Sequence, residues 1–207
     1  MMGQFRENDL NTPQHYNELF GSGRYDSVGK LRMERIYKAS IYVCGPRILD
    51  VGCGEGAAAN WFAEQGYDAY GVDFSFTAIQ NARKGWASGG TKEKPRQFTK
   101  TGIFTHTNIT SGLPWRDGYF DSALAIEVLE HMTDPRALAQ EIMRVLRPCG
   151  RLFFTCPKPE VSFQDAEHKW AFEKADYRRL FDTYRIMLYS DLEWPRNIWG
   201  VVEKRRE

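Results

Sequence analysis

The nine residues Ile48–Gly56, ILDVGCGEG, decide how this chain is read. A short apolar run ends in Asp50 and passes directly into glycines at positions 52, 54 and 56. Residues without a Cβ permit positive φ and let a ligand press against main chain. A strand that turns this way into a helix sets its glycines at the carboxyl edge of a parallel sheet, where open α/β folds bind ligands. The first N–H groups of the following helix add a weakly positive end. A dinucleotide fingerprint reads GxGxxG and seats a pyrophosphate there, whereas this loop reads GxGxG with an aspartate just before it. Asp50 disfavours a pyrophosphate and suits a ligand carrying an ammonium or sulfonium. The next apolar run ends in Gly71-Val72-Asp73, so Asp73 stands 17 residues after Gly56. That is close to the offset at which a carboxylate accepts the hydroxyls of a ribose. A nucleoside with a cationic tail fits both acids.

Outward from the loop, short apolar runs at 47–51, 69–72, 103–107, 122–126 and 151–155 alternate with helical patterns at 57–65, 75–84 and 135–146. Strands alternating with helices predict a parallel sheet with helices on both faces. The helix at 135 is the best marked: Asp134 caps it, Pro135 suits its first position, and Leu138, Ile142, Val145 and Leu146 line one face. Two further strands, 185–189 and 197–203, are joined by too short a link for a crossover helix and predict an antiparallel hairpin. Thr12 and Pro13 start a helix through about Phe20, and a second helix spans about Ser27–Tyr42. Residues 1–45 read as a helical lid or acceptor segment, and 46–207 as one globular domain. The composition shift at Gly85–Arg96, GWASGGTKEKPR, reads as an exposed insertion.

With 28 basic and 27 acidic residues the net charge is +1, which provides no global field for nucleic acid or an anionic membrane. No run approaches the length of a membrane span, and a cytoplasmic protein is the expectation. Four cysteines at spacings of 9, 96 and 7, and four scattered histidines, form no sequence pattern that places two metal ligands on one face. No metal is expected.

Four stretches, in this order, carry a resemblance that covers about residues 46–157: ILDVGCGEG, AYGVDFS, LPWRDGYFDSALAIEVLEHM and LRPCGRLFFTCP. The chain resembles class I S-adenosylmethionine-dependent methyltransferases, in particular the small bacterial type similar to ubiquinone and menaquinone biosynthesis methyltransferases. The resemblance implies a Rossmann-like, doubly wound, mostly parallel sheet of seven strands. It implies S-adenosylmethionine as cofactor, S-adenosylhomocysteine as product, and a small-molecule acceptor. Gly52, Gly54 and Gly56 are expected along the cofactor's amino-acid tail and ribose, with Cys53 a small filler between them. Asp50 is expected to support the loop or reach the ammonium group through water. Asp73 is expected to hold the ribose diol, and Phe74 to pack on the adenine. Where the family has an acid for the adenine amino group this chain reads Asn108-Ile109, and the Asn108 carbonyl can accept that bond. Glu127 is expected to offer its backbone to the ammonium group, and Val128 and Leu129 to wall the methionine part.

On the acceptor side, His131 is the candidate general base, against a structural role in fixing its loop. Tyr16 and Arg24 are candidate lid residues, and His168 and Trp170 candidate acceptor contacts within an aromatic-rich tail. Oxygen is the expected acceptor atom, on a carbohydrate or quinone-like metabolite. An RNA methyltransferase using the basic residues around the insertion, a nicotinamide dehydrogenase and a non-catalytic cofactor-binding protein are the alternatives. The sequence leaves the oligomeric state open.

Overall fold

The computed structural model describes residues 2–22, 30–87, 96–189 and 196–206. Seven strands form one sheet: β1 (Arg47–Val51), β2 (Asp68–Asp73), β3 (Ile103–His106), β4 (Phe120–Ile126), β5 (Leu146–Pro157), β6 (Arg185–Tyr189) and β7 (Asn197–Glu203). Their order across the sheet is β6-β7-β5-β4-β1-β2-β3. All neighbours are parallel except β7, which runs antiparallel to both β5 and β6. The expected seven-stranded α/β sheet with its terminal antiparallel hairpin is thus the observed one, although the turn at 190–195 lies outside the described residues.

Helices α1 (Pro13–Gly21), α2 (Lys30–Tyr42), α3 (Ala57–Glu64), α4 (Phe76–Arg83) and α5 (Pro135–Val145) follow in chain order, then a short α6 (Pro159–Ser162) and α7 (Lys174–Leu180). The central strands β1 and β4 are buried along almost their whole length because both faces are covered. Two clusters of buried side chains flank the sheet: Leu49, Ala123, Ile142 and Phe154 belong to one, and Ile48, Phe62, Ile79 and Leu124 to the other. Neighbours in the sequence thus point to opposite sides, as the strand pleat requires. Helix α5 begins as its sequence predicts, with the Asp134 carboxylate accepting from the Ala137 N–H at 3.0 Å.

The start of β5 differs from expectation, and two further segments gain detail. Strand β5 starts at Leu146, earlier than Arg151: Leu146 already pairs with Phe120, and an irregularity follows before regular pairing resumes at Ser122 and Arg151. Cys149 adopts φ 60° there, a bend that the Pro-Cys-Gly sequence conceals as a simple helix stop. The insertion is anchored by antiparallel pairing of Trp86–Ala87 with Arg96–Gln97, and residues 88–95 lie outside the described residues. The aromatic tail contains α7, whose Tyr177 packs with Phe172 and Phe181 against Phe154. It also pairs through Trp170–Ala171 with Gln4–Phe5 near the start of the chain.

Gly56 shows why the third glycine is needed. It caps α3 at φ 75°, and a Cβ placed there would stand 2.6 Å from the Phe104 ring and 2.8 Å from the Ala82 Cβ. Gly56→Ala is expected to destabilise the fold by about 3 kcal/mol, combining left-handed strain with overpacking. Urea denaturation measures this, and an unchanged midpoint would contradict it.

Candidate active site

The carboxyl ends of β1, β2 and β4, together with the turn after β3, border a cavity of about 510 Å³, a volume that suits a nucleoside-sized ligand. Gly52 and Gly54 form its floor where β1 ends. Gly52 has φ 65°, and a Cβ there would stand 2.7 Å from Val128, itself a lining residue. Gly54 lies under Phe20 of α1, which approaches the position of a Cβ to 3.2 Å.

The buried Asp73 carboxylate fixes this floor. One oxygen accepts from the Gly54 N–H at 2.9 Å and the other from the Ser75 N–H at 2.8 Å, so a single side chain ties the glycine loop to the start of α4. Burial pushes the Asp73 carboxyl up, and the Ser75, Gly54 and Phe74 N–H groups oppose that shift. Phe74 lines the cavity beside it, with its ring 5.0 Å from that of Tyr16.

Some residues expected at the cofactor stand behind the wall. Asp50 is absent from the lining and accepts from the Ala59 N–H at 3.3 Å, so it supports the first turn of α3. Cys53 is buried on the Gly71 side of the loop, and burial together with Asp73 and Asp50 pushes its thiol up. Gly56 faces Phe104, and Leu129 is part of the core. Asn108 and Ile109 do line the cavity, but both acceptor contacts of the Asn108 carbonyl go to Thr110, to its N–H at 3.0 Å and its hydroxyl at 2.8 Å. The adenine contact expected of that carbonyl is already used in capping a turn.

Burial lifts the Asp50 carboxyl from 3.8 to about 7, opposed by the Ala59 N–H and Arg32 and reinforced by Asp73. A proton retained by the folded state and released by the unfolded chain makes stability fall as pH rises from about 4 to about 7. The full cost is reached above the folded-state value. Asp50→Asn keeps an acceptor for Ala59 and is expected to remove most of this pH dependence, about 1.4 kcal/mol for each tenfold difference in proton affinity between the folded and unfolded chain. Denaturation midpoints at pH 5 and pH 8 measure it, and an unchanged slope would exclude Asp50 as the source.

Glu127 follows β4 in a left-handed conformation, φ 56°. Such strain persists only where surroundings hold it, and it concentrates at ligand sites. The holding groups are visible: one carboxylate oxygen accepts from Thr155 Oγ1 at 2.7 Å and Asn197 Nδ2 at 3.1 Å, and the other lies 3.5 Å from Arg35. Sequence reading missed Arg35 and Arg32, two cations in the lining. Their signal is the i, i+3, i+4, i+7 set Arg32, Arg35, Ile36 and Ala39, the last two fully buried, which marks the inward face of α2.

The cavity is also lined by Tyr16, His131 and His168, together with Asn11, Asp165 and Glu167. Asn11 Nδ2 donates to the His131 carbonyl at 2.9 Å and the Glu167 carbonyl at 3.0 Å, tying the segment before α1 to both loops. The rings of His131 and His168 meet edge to face at 4.7 Å. Burial, reinforced by His168, lowers His131 to about 4, so its imidazole is neutral at physiological pH. Trp170 is not part of the lining: its Nε1 donates to the Met132 carbonyl at 2.8 Å and its ring stacks on Phe172. Arg24 lies outside the described residues.

A glycine floor, a carboxylate at the end of β2 and a strained residue after β4, on a sheet of this order, define the class I S-adenosylmethionine-dependent methyltransferases. The model of the family described as "Methyltransferase domain" matches residues 49–154, and the chain belongs to that family. S-adenosylmethionine is the cofactor of that class. Over 128 residues the chain is 30% identical to a ubiquinone biosynthesis O-methyltransferase of Pectobacterium atrosepticum, covering 62% of this chain and 49% of that protein. It is 39% identical over 130 residues to the O-methyltransferase rstn1 of Aspergillus nomiae, covering 58% and 53%. The chain therefore spans about half the length of these curated relatives. In fold it is similar to an S-adenosylmethionine-dependent methyltransferase from Archaeoglobus fulgidus, with TM-score 0.67 at 16% identity over 92% of this chain and all of the other. Among the described residues no helix is long and apolar enough to cross a membrane.

Proposed function

We propose that the enzyme methylates an oxygen of a small-molecule acceptor, of carbohydrate or quinone-like class, held at the His131–His168 end of the cavity. The observation that carries this reading is the two-ended lining. Gly52, Gly54, Asp73 and Phe74 suit a nucleoside at one end, and a neutral imidazole stands beside a second imidazole at the other. The O-methyltransferase names of the curated relatives support oxygen as the acceptor atom. Bound S-adenosylmethionine would supply an electrophilic methyl group to the acceptor oxygen, and His131 would take the hydroxyl proton.

The protein's own part is positioning. Asp73 is assigned to the ribose hydroxyls, Arg32 to the cofactor's carboxylate, and the main chain at Glu127 to its ammonium group. Residues 1–45 act as a lid, with Tyr16 and Phe20 covering the cofactor and His131 meeting the acceptor hydroxyl. Holding reactants in line and excluding water can contribute about 7–11 kcal/mol to such a displacement. Incubating the enzyme with isotopically labelled cofactor and fractionated metabolites, followed by mass spectrometry, tests the assignment. A methoxy product is expected. Methylation at nitrogen or carbon would overturn the oxygen assignment, and cofactor binding without turnover on any acceptor would favour a non-catalytic binding protein.

A further inference from the structure

Beside the acceptor end of the cavity, the described residues hold a buried carboxylate that nothing satisfies. Glu130 is fully buried, and neither carboxylate oxygen has a hydrogen-bond partner. The Cys156 thiol, a weak donor, acts on it together with the charges of Glu127 and Arg35. A buried acid without partners costs several kcal/mol and needs an explanation. One oxygen of Glu130, one nitrogen of His131 and one nitrogen of His168 all lie within 4.8 Å of one another.

The hydrogen bonds around both imidazoles determine which nitrogens are free. His168 Nδ1 faces the Ser162 carbonyl at 2.6 Å, and a carbonyl can only accept, so Nδ1 carries a proton and Nε2 is the nitrogen left to meet a ligand. For His131 the reasoning takes two steps. Asn11 Nδ2 donates to two carbonyls, which directs Asn11 Oδ1 to accept from the Tyr16 hydroxyl at 3.2 Å. The Tyr16 oxygen therefore accepts from His131 Nδ1 at 3.2 Å, as does the Glu167 carbonyl at 3.3 Å, again leaving Nε2 bare. An Nδ1–H anchored on a carbonyl or hydroxyl, with Nε2 presented, is how metal-bound histidines are oriented. His168 Nε2 also faces an Asp165 carboxylate oxygen at 3.7 Å, so a further oxygen donor stands beside the three groups.

We propose that Glu130, His131 and His168 form a binding site for a divalent transition-metal ion of the zinc type, with its open position toward the acceptor. Two imidazoles and one carboxylate match the donor set of open zinc sites, whereas magnesium prefers oxygen ligands and several waters. Zinc bonds of about 2.0–2.2 Å in a tetrahedron place ligand atoms roughly 3.3 Å apart, so side-chain rotation must draw the three together by about 1.5 Å or less. His131 and His168 both line the cavity, so the fourth position faces the bound acceptor. The ion satisfies the Glu130 charge and orients the acceptor oxygen. That second role rests on the function proposed above; the binding site does not.

The test uses the full chain, stripped with a chelator and titrated with Zn²⁺ by calorimetry and with Co²⁺ by visible absorption. One ion per chain is expected, with cobalt bands of nitrogen and oxygen coordination and no thiolate charge-transfer band. Glu130→Gln and His168→Ala should each weaken binding by about a hundredfold or more, and Tyr16→Phe by about tenfold through loss of the His131 anchor. S-adenosylmethionine binding is measured on each protein as a separate readout of folding and of the methyltransferase site. Wild-type protein that binds the cofactor but no Zn²⁺ overturns the proposal. So do folded variants that bind Zn²⁺ as the wild type does, or a thiolate band that places cobalt on cysteine. If a variant does not fold, the wild-type stoichiometry and cobalt spectrum still decide.

Discussion

Asp73→Ala is expected to weaken S-adenosylmethionine binding by about 10²–10³-fold. Each charge-assisted hydrogen bond contributes roughly 1.5–3 kcal/mol, and this carboxylate accepts two from main chain. Without it the Gly54 and Ser75 N–H groups lose their partners together, and the glycine floor comes free of α4. Asp73→Asn should rescue little. Its single carbonyl oxygen serves one N–H while its amide nitrogen confronts the other, donor against donor. Isothermal titration with the cofactor measures both variants, and a dissociation constant within about threefold of wild type, under 1 kcal/mol, would show that the loop holds its shape unaided. The two buried acids also carry an electrostatic argument. Burial pushes both Asp50 and Asp73 up, and Asp73 raises Asp50 further. A ligand with positive charge at this edge favours both carboxylates, so its binding relieves a cost that the free protein bears.

The sheet was legible because its central strands are buried and appear as short, mainly apolar runs between glycines and helical patterns. The start of β5 was not, because Leu146-Arg147-Pro148-Cys149-Gly150 resembles a helix stop and only pairing with Phe120 shows it as strand. The glycine loop was read correctly as a place of close approach, but not all in one direction. Gly52 and Gly54 face the cavity while Gly56 faces Phe104, a distinction made by the turn into α3 that spacing alone does not carry. Asn108 illustrates another limit. Its carbonyl was a plausible adenine acceptor until the local turn placed Thr110 against it. The acceptor end was least legible because its parts come from distant segments: Tyr16 from α1, His131 from the turn after β4, and His168 from the loop after α6. The two histidines stand 37 positions apart, so no ligand-spacing pattern could reveal them. Glu130 reads as an ordinary polar residue next to His131, and only its complete burial marks it as unusual.

His131→Ala is expected to lower kcat by about 10²–10⁴-fold, the range for loss of a positioned proton-handling group, while cofactor affinity stays near wild type. The asymmetry follows from the geometry. The ring lies at the proposed acceptor end, against His168 at 4.7 Å, and its Nδ1 contacts go to Tyr16 and Glu167, whereas the glycine floor is held by Asp73. Activation of the acceptor hydroxyl, by the imidazole lone pair or by an ion that it helps hold, is lost in either case. Tyr16→Phe separates chemistry from closure, because it keeps the ring that packs on Phe74 and removes only the oxygen that orients His131. It should reduce kcat less than His131→Ala while leaving the cofactor's KM almost unchanged. Steady-state rates at saturating cofactor, paired with direct binding measurements, read both effects. If His131→Ala instead weakened cofactor binding and left kcat intact, the histidine would belong to the lid's framework, and the acceptor's oxygen would have to be activated elsewhere.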